Sequence, residues 1–315
     1  MPIEFTYVPA VDATGKPLFE TAENWPAAIE ASAFRRIVVE HPVGLLASLD
    51  LADEALARTS GLEVALTHWA GMVAPVVAAY HLAALNARSG GRLALRMVSG
   101  PPDEASVAGR TVSHDALWQR TDEYLVLLKR LWLSEKPFDH EGAFYSIRGG
   151  YVPAKAPDAA SPLIRISGRS GIALKVAARH ADVLELAAGT PGETAQLMQR
   201  ARNAAAERGR ADKLRFALPV TLGEPEARPG EWNPEAVKVG RTAARIASAL
   251  RPYALAGVRE FMFVGPRDLG TVGLIGEEIR ALLERSLPEE LGDGHFQTEN
   301  HVARKRQPAA GRPGL

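Results

Sequence analysis

Residues 162–186 read PLIRISGRSGIALKVAARHADVLEL. A short apolar run, Leu163–Ile166, stops at Ser167-Gly168-Arg169-Ser170-Gly171. An alanine-rich stretch of helical period follows, and a second apolar run, Val183–Leu186, closes the unit. Strand, glycine turn, amphipathic helix and strand make one β/α step of a parallel sheet. Val183–Leu186 reads as apolar on both faces, the expectation for a parallel strand covered by helices. The rhythm continues outward in both directions. Strands are expected at Ile3–Val8, Arg36–Val39, Leu62–Thr67, Leu93–Ser99, Leu163–Ser167, Val183–Ala187, Leu214–Leu222 and Val258–Val264. Helices are expected at Ala22–Ala33, Leu46–Thr59, Val73–Ala87, His114–Leu133, Gly171–His180, Thr194–Arg208, Val237–Ala256 and Thr271–Arg285. This alternation predicts an α/β fold, a closed (β/α)8 TIM barrel, with a doubly wound open sheet as the rival.

The chain has 315 residues, enough for such a barrel, which takes about 250. One barrel domain is expected over 1–287, followed by a polar, flexible tail over 288–315. Pro101–Ser113 and Pro137–Pro162 read as loops at the barrel mouth, and Gly223–Pro234 as a further irregular segment. Lys+Arg and Asp+Glu balance at 37 each, so no global field attracts nucleic acid or an anionic membrane. The absence of cysteine excludes disulfides, zinc–thiolate sites and thiol nucleophiles, and it suits a reducing cytoplasm. No signal-peptide pattern opens the sequence and no run of about 18 apolar residues occurs, so a cytoplasmic protein is expected. No metal site is expected.

At the turn of residues 167–171, the first free N–H groups of the following helix and its dipole would make an anion site at the carboxyl end of a barrel strand. Ser167 and Ser170 add hydroxyls, Arg169 adds charge, and Gly168 and Gly171 let an oxygen-rich group approach the backbone. Phosphate is the chemistry suggested. An ordinary serine N-cap with glycine in the turn reads the same residues equally well. The spacing is neither the dinucleotide fingerprint nor a P-loop.

The stretch SGRSGIALKVAARHADVLEL resembles the turn, helix and strand of the bacterial luciferase-like flavin monooxygenases, most nearly their alkanesulfonate monooxygenase branch. Three more stretches resemble that family in the same order: MVAPVVAAYHLAALNARSGGRLALRMVSG, HDALWQRTDEYLVLLKRLWLSEKPFDHEGAFYSIRGG and LRPYALAGVREFMFVGP. The resemblance spans roughly Gly61 to Leu287. It implies a TIM barrel that uses reduced FMN and O2 to oxygenate a small organic substrate, with flavin supplied by a separate NAD(P)H:flavin reductase. It also implies a homodimer, to which the apolar face over Val73–Leu85 would contribute if it is not simply covering the barrel.

By the resemblance, Ser167, Gly168, Arg169, Ser170 and Gly171 hold the FMN phosphate. Ser99, at the end of the fourth strand, stands where the family has threonine near the flavin. His114 opens the helix that faces the flavin, and Trp118 replaces a phosphate-contacting tyrosine. Thr67 and His68 end the third strand and are expected to line the ring pocket. His114, His68 and Thr221 are the candidates for catalytic roles. For each a bland reading stands beside the sharp one: Ser113 as the cap before His114, Trp118 as a helix-face aromatic, His68 as an interior histidine. His140, His180 and Glu123 have weaker claims, while Glu40 and His41 follow the second strand at a mouth position.

The chain also departs from the family. By the resemblance, Pro219 and Thr221 occupy the places of the Arg and His that hold substrate and activated flavin in that branch, and the long segment after this strand is reduced to Gly223–Lys238, where Arg228 could reach inward. These departures leave two readings open: a reduced-FMN monooxygenase, or a non-catalytic luciferase-like flavin-binding or partner subunit.

Overall fold

The computed structural model describes residues 2–11, 18, 24–32, 34–40, 45–99, 113–153, 161–222, 236–240 and 242–288. His41, Arg228 and the polar tail from 289 onward lie outside them.

The elements in chain order are β1 (Glu4–Val8), α1 (Trp25–Ala31), β2 (Arg36–Val39), α2 (Leu45–Ala57), β3 (Glu63–Trp69), α3 (Pro75–Arg88) and β4 (Leu93–Val98). They continue with α4 (His114–Leu133), β5 (Phe138–Glu141), β6 (Ser146–Gly150), β7 (Leu163–Ser167), α5 (Gly171–His180), β8 (Val183–Glu185) and α6 (Pro191–Ala206). The last are β9 (Arg215–Leu222), β10 (Val237–Val239), α7 (Ala243–Ala256), β11 (Glu260–Val264), α8 (Leu269–Gly273) and α9 (Arg280–Arg285), the two final helices joined by a π turn over Leu274–Ile279.

Eight strands close into a ring in the order β1-β2-β3-β4-β7-β8-β9-β11 and back to β1, every pairing parallel. This is the expected TIM barrel, and each expected barrel strand is present. Right-handed β/α steps bring consecutive strands side by side, and closure removes the edges of the sheet. Val64, Leu66, Ile164, Ile166, Leu184, Phe261 and Phe263 are buried in the main apolar core between sheet and helices. A smaller cluster, Val38, Ala65, Ala94, Val183, Ala217 and Met262, fills the interior of the ring.

Three expectations need correction. The segment after α4 is not wholly irregular: β5 and β6 form an antiparallel hairpin. Glu123 on α4 fastens it, accepting from Phe144 N and Tyr145 N at 3.0 Å each and pairing with His140 Nε2 at 3.0 Å. The helix expected from Val237 begins only at Ala243, because Val237–Val239 add a short strand beside the outer end of β9.

The third correction concerns the barrel interior. The strands are not apolar on both faces. Glu185 lies within the supposedly apolar Val183–Leu186, and alternation turns it inward beside Val183. Arg36, Arg96, Arg165 and Glu260 face inward too, and all five are at least 95% buried. They form a ladder of alternating charge. Arg36 Nε donates to Glu63 at 3.0 Å, and its NH1 lies 2.9 Å from Glu260. Arg165 grips Glu260 with two nitrogens, at 2.7 and 3.1 Å, and donates from Nε to Glu185 at 2.9 Å. Glu185 then accepts from Arg96 Nε at 2.7 Å, and Arg96 NH1 reaches Thr67 Oγ1 at 3.2 Å and Glu40 at 3.5 Å. TIM interiors are usually packed with branched apolar side chains. Here small residues (Ala65, Ala94, Ala217) leave room for long charged ones.

Candidate active site at the barrel mouth

Parallel strands put all their carboxyl ends on one rim, and the loops and helix starts that follow converge there. Three side chains of the candidate site arrive at that rim by way of α4 and α5. Both helices begin with a serine cap. Ser113 Oγ accepts from Ala116 N at 3.2 Å, and Ser170 Oγ accepts from Ala173 N at 3.2 Å. The bland reading of both serines is therefore correct as local structure. What it omits is that the two starts touch: His114 Nε2 lies 3.1 Å from Ser170 Oγ. Two helix N-termini, each the positive end of a helix dipole, are thereby brought together.

Gly168 explains how they fit. A Cβ on it would fall 2.7 Å from Ala173 Cβ and 2.9 Å from Trp118 Cζ2. Trp118, one turn beyond His114, is 1% exposed, and its Nε1 has no hydrogen-bond partner among the described residues. A buried indole N–H without an acceptor is uncommon, since burying an unpaired donor costs about 1–3 kcal/mol. Ser167 and Ser170 are half-buried, whereas Arg169 and Gly171 are exposed. Ser99 follows β4 at the same rim, also half-buried.

On the interior face of the rim, Thr67 accepts from Arg96 and keeps its hydroxyl proton for another partner. Glu40 ends the charge ladder with its side chain 38% exposed. Thr221, level with Val264 and two strands from Val8, is 6% exposed, and its Oγ1 has no partner among the described residues. His68 is not at the mouth. It follows inward-facing Thr67, so alternation turns it outward beneath α4, where its Nε2 shares a 2.8 Å hydrogen bond with Tyr124 Oη. Burial drives its pKa down to about 3, so it is neutral at physiological pH. His180 and His140 sit away from the rim: His180 pairs with Asp122 at 2.8 Å and His140 with Glu123.

The ladder, which runs from the amino ends of β2 and β11 through the interior to Glu40 at the rim, is what sequence reasoning missed. Burial alone would raise the Glu260 carboxyl, but Arg165 and Arg36 outweigh it and hold the group well below the usual carboxylate range. Glu185 is depressed likewise, burial being overcome by Arg96 and Arg165. Both stay ionised, so neither can take up a proton near neutral pH. Among the described residues no cluster of three or more His, Asp or Glu could hold a metal, and no helix is long and apolar enough to cross a membrane.

A closed parallel barrel with polar groups gathered at its carboxyl rim defines a class of α/β protein in which loops and helix starts carry the chemistry. Within it, the chain belongs to the luciferase-like monooxygenase family, whose family model matches residues 24–227. An FMNH2-dependent dimethylsulfone monooxygenase of Pseudomonas putida is 28% identical over 137 residues, and that match spans 43% of this chain and only 38% of the relative. Among solved structures, the long-chain alkane monooxygenase LadA superposes with a TM-score of 0.75 at 16% identity, covering 90% of this chain and 92% of that one. The EDTA monooxygenase EmoA from Chelativorans sp. BNC1 gives 0.73 at 15%, with 93% and 98% covered. An F420-dependent secondary alcohol dehydrogenase, in complex with an F420-acetone adduct, gives 0.72 at 16%, with 90% and 99% covered. At these identities the structures speak for the fold. None of these relatives singles out the alkanesulfonate branch.

Proposed function

We propose that the protein is a reduced-FMN monooxygenase that oxygenates a small organic substrate with O2, taking its flavin from a separate NAD(P)H:flavin reductase. The observation that carries this reading is the meeting of α4 and α5 at His114 and Ser170, 3.1 Å apart. Paired helix N-termini with a hydroxyl and an imidazole between them suit a phosphate monoester. Ser167, Ser170, Arg169 and the N–H groups of Gly168 and Gly171 would hold that phosphate, with His114 opposite. Gly168 fits the role for a second reason, since its missing side chain lets Trp118 pack under the turn. The unpaired indole N–H of Trp118 offers one further donor. Thr67 and Ser99 stand where the rest of the cofactor would extend over the rim. The FMNH2 dependence of the Pseudomonas putida relative supports the choice of flavin.

Reduced FMN, when bound, supplies the electrons that activate O2; the protein's part is to grip, orient and shield it. Thr67 has a hydroxyl proton to give, whereas Glu185 and Glu260 are locked into ion pairs and serve as framework. His114 is the candidate to carry a proton at the rim, and Thr221 the candidate to meet substrate.

Anaerobic titration with reduced FMN, followed by mixing with O2 and small organic substrates, tests this reading. Saturable binding with oxygen incorporated into a product is expected. No affinity for reduced FMN contradicts it. Tight binding with no oxygenation, only slow release of peroxide, favours a flavin-binding partner subunit.

A further inference from the structure

The rim has two unlike halves. Across β2, β3, β4 and β8, Glu40, Thr67, Arg96 and Glu185 make a polar wall in which every charge already has its counter-charge. Arg96 faces two carboxylates, so its guanidinium is balanced before any ligand arrives. Across β1, β11 and β9, the register sets Val8 beside Val264 and Val264 beside Thr221. The two valines are apolar, and the Thr221 hydroxyl is the polar group set beside them. Thr221 is 6% exposed, and its hydroxyl has no hydrogen-bond partner among the described residues. Lys238, level with Thr221 on β10, is exposed and already carries an interaction of its own.

A buried hydroxyl beside two valines costs stability unless something completes it. No group among the described residues does so here. We infer that this wall binds the substrate of the proposed oxygenase, and that the substrate is a small uncharged molecule with a hydrogen-bonding oxygen. Thr221 is its anchor, and Val8 and Val264 are its apolar seat. A negative charge on the ligand would meet Glu40 across the rim and find Arg96 already occupied, which disfavours anions. The inference rests on the oxygenase reading for the word substrate. The binding itself is measurable without flavin.

Two matched pairs of probes separate charge from shape: dimethyl sulfone with methanesulfonate, and 2-butanone with propionate. In each pair a methyl is exchanged for an anionic oxygen on the same skeleton. Ligand-observed NMR on the flavin-free full chain measures affinity for wild type, Thr221→Val and Lys238→Gln. Thr221→Val keeps the shape and removes only the hydroxyl. The expected result is saturable binding of both neutral probes, at least tenfold weaker binding of both anions, and about fivefold loss of neutral-probe affinity in Thr221→Val. Lys238→Gln should leave the neutral probes unaffected. Anions that bind as well as the neutral probes, anion binding that depends on Lys238, neutral binding indifferent to Thr221→Val, or no saturation by either neutral probe would each overturn the inference. Failure of the FMN titration overturns the oxygenase reading instead, whatever the probes do.

Discussion

Thr67 and His68 are adjacent, and that adjacency decides which of them can serve the rim. A strand turns successive side chains to opposite faces, so only one of the two can look into the barrel. Thr67 does, and His68 lies under α4 with Tyr124. The sequence marks both as strand-end polar residues, and the phase of alternation is what separates them. Buried neutral His68 has a thermodynamic signature. Its folded pKa is about 3, below an unfolded value of about 6.5, so the unfolded chain takes up a proton that the folded chain refuses. Stability is therefore full above pH 6.5 and falls as pH drops through the interval toward 3. At pH 5 the loss from this residue should be about 2 kcal/mol. Burial lowers His180 in the same direction, its bond to Asp122 notwithstanding. Urea unfolding at pH 7 and pH 5 checks the point: His68→Gln should remove about 2 kcal/mol of the pH dependence. An identical pH dependence in wild type and variant would mean that the histidine is solvated.

At the scale of elements, helices were the most legible. The α4 and α5 boundaries follow from a capping serine and helical periodicity, and both begin where expected. The β5–β6 hairpin was hidden because Gly149-Gly150 and the surrounding prolines look like loop punctuation, and because its alternation is half exposed. Its anchor lies in another element. Glu123 on α4 takes two hairpin N–H groups, a long-range bond that local propensity does not encode. Gly142 makes room for that carboxylate, since a Cβ there would fall 2.1 Å from Glu123 Oε1. Glu123→Ala should therefore loosen the hairpin without melting the barrel. Hydrogen exchange of the Phe144 and Tyr145 amides should accelerate at least tenfold, while the β7 and β8 amides keep their protection. Unchanged exchange at Phe144 and Tyr145 would remove Glu123 from that role.

For the whole molecule, the alternation of eight strands and eight helices was enough to read a parallel α/β sheet and to expect the closed barrel ahead of an open sheet. The contents of the barrel were not readable in the same way. LIRIS, LALRMV and EFMFV each hold one charge among apolar residues, and no single strand reveals that these charges meet. Only closure of the ring brings Arg165 to both Glu185 and Glu260. Breaking that ladder at its centre leaves buried charges unpaired, so Arg165→Met should cost about 3–5 kcal/mol. Arg88→Ala, which removes an exposed pair with Asp53, should cost no more than about 1 kcal/mol. Denaturant melts of both variants make the comparison; equal small losses would mean that the interior is wetter than the packing indicates.

The functional account turns on a phosphate seated between the starts of α4 and α5. Ser170→Asp separates that role from helix capping, because aspartate caps as well as serine and also suits the helix dipole, yet it sets a carboxylate where the phosphate would lie. Equilibrium titration of wild type and Ser170→Asp with FMN, with thermal unfolding recorded on the same samples, is the most direct test. The account expects unchanged stability and at least tenfold weaker FMN binding in the variant. Equal FMN affinity in the two proteins would contradict it.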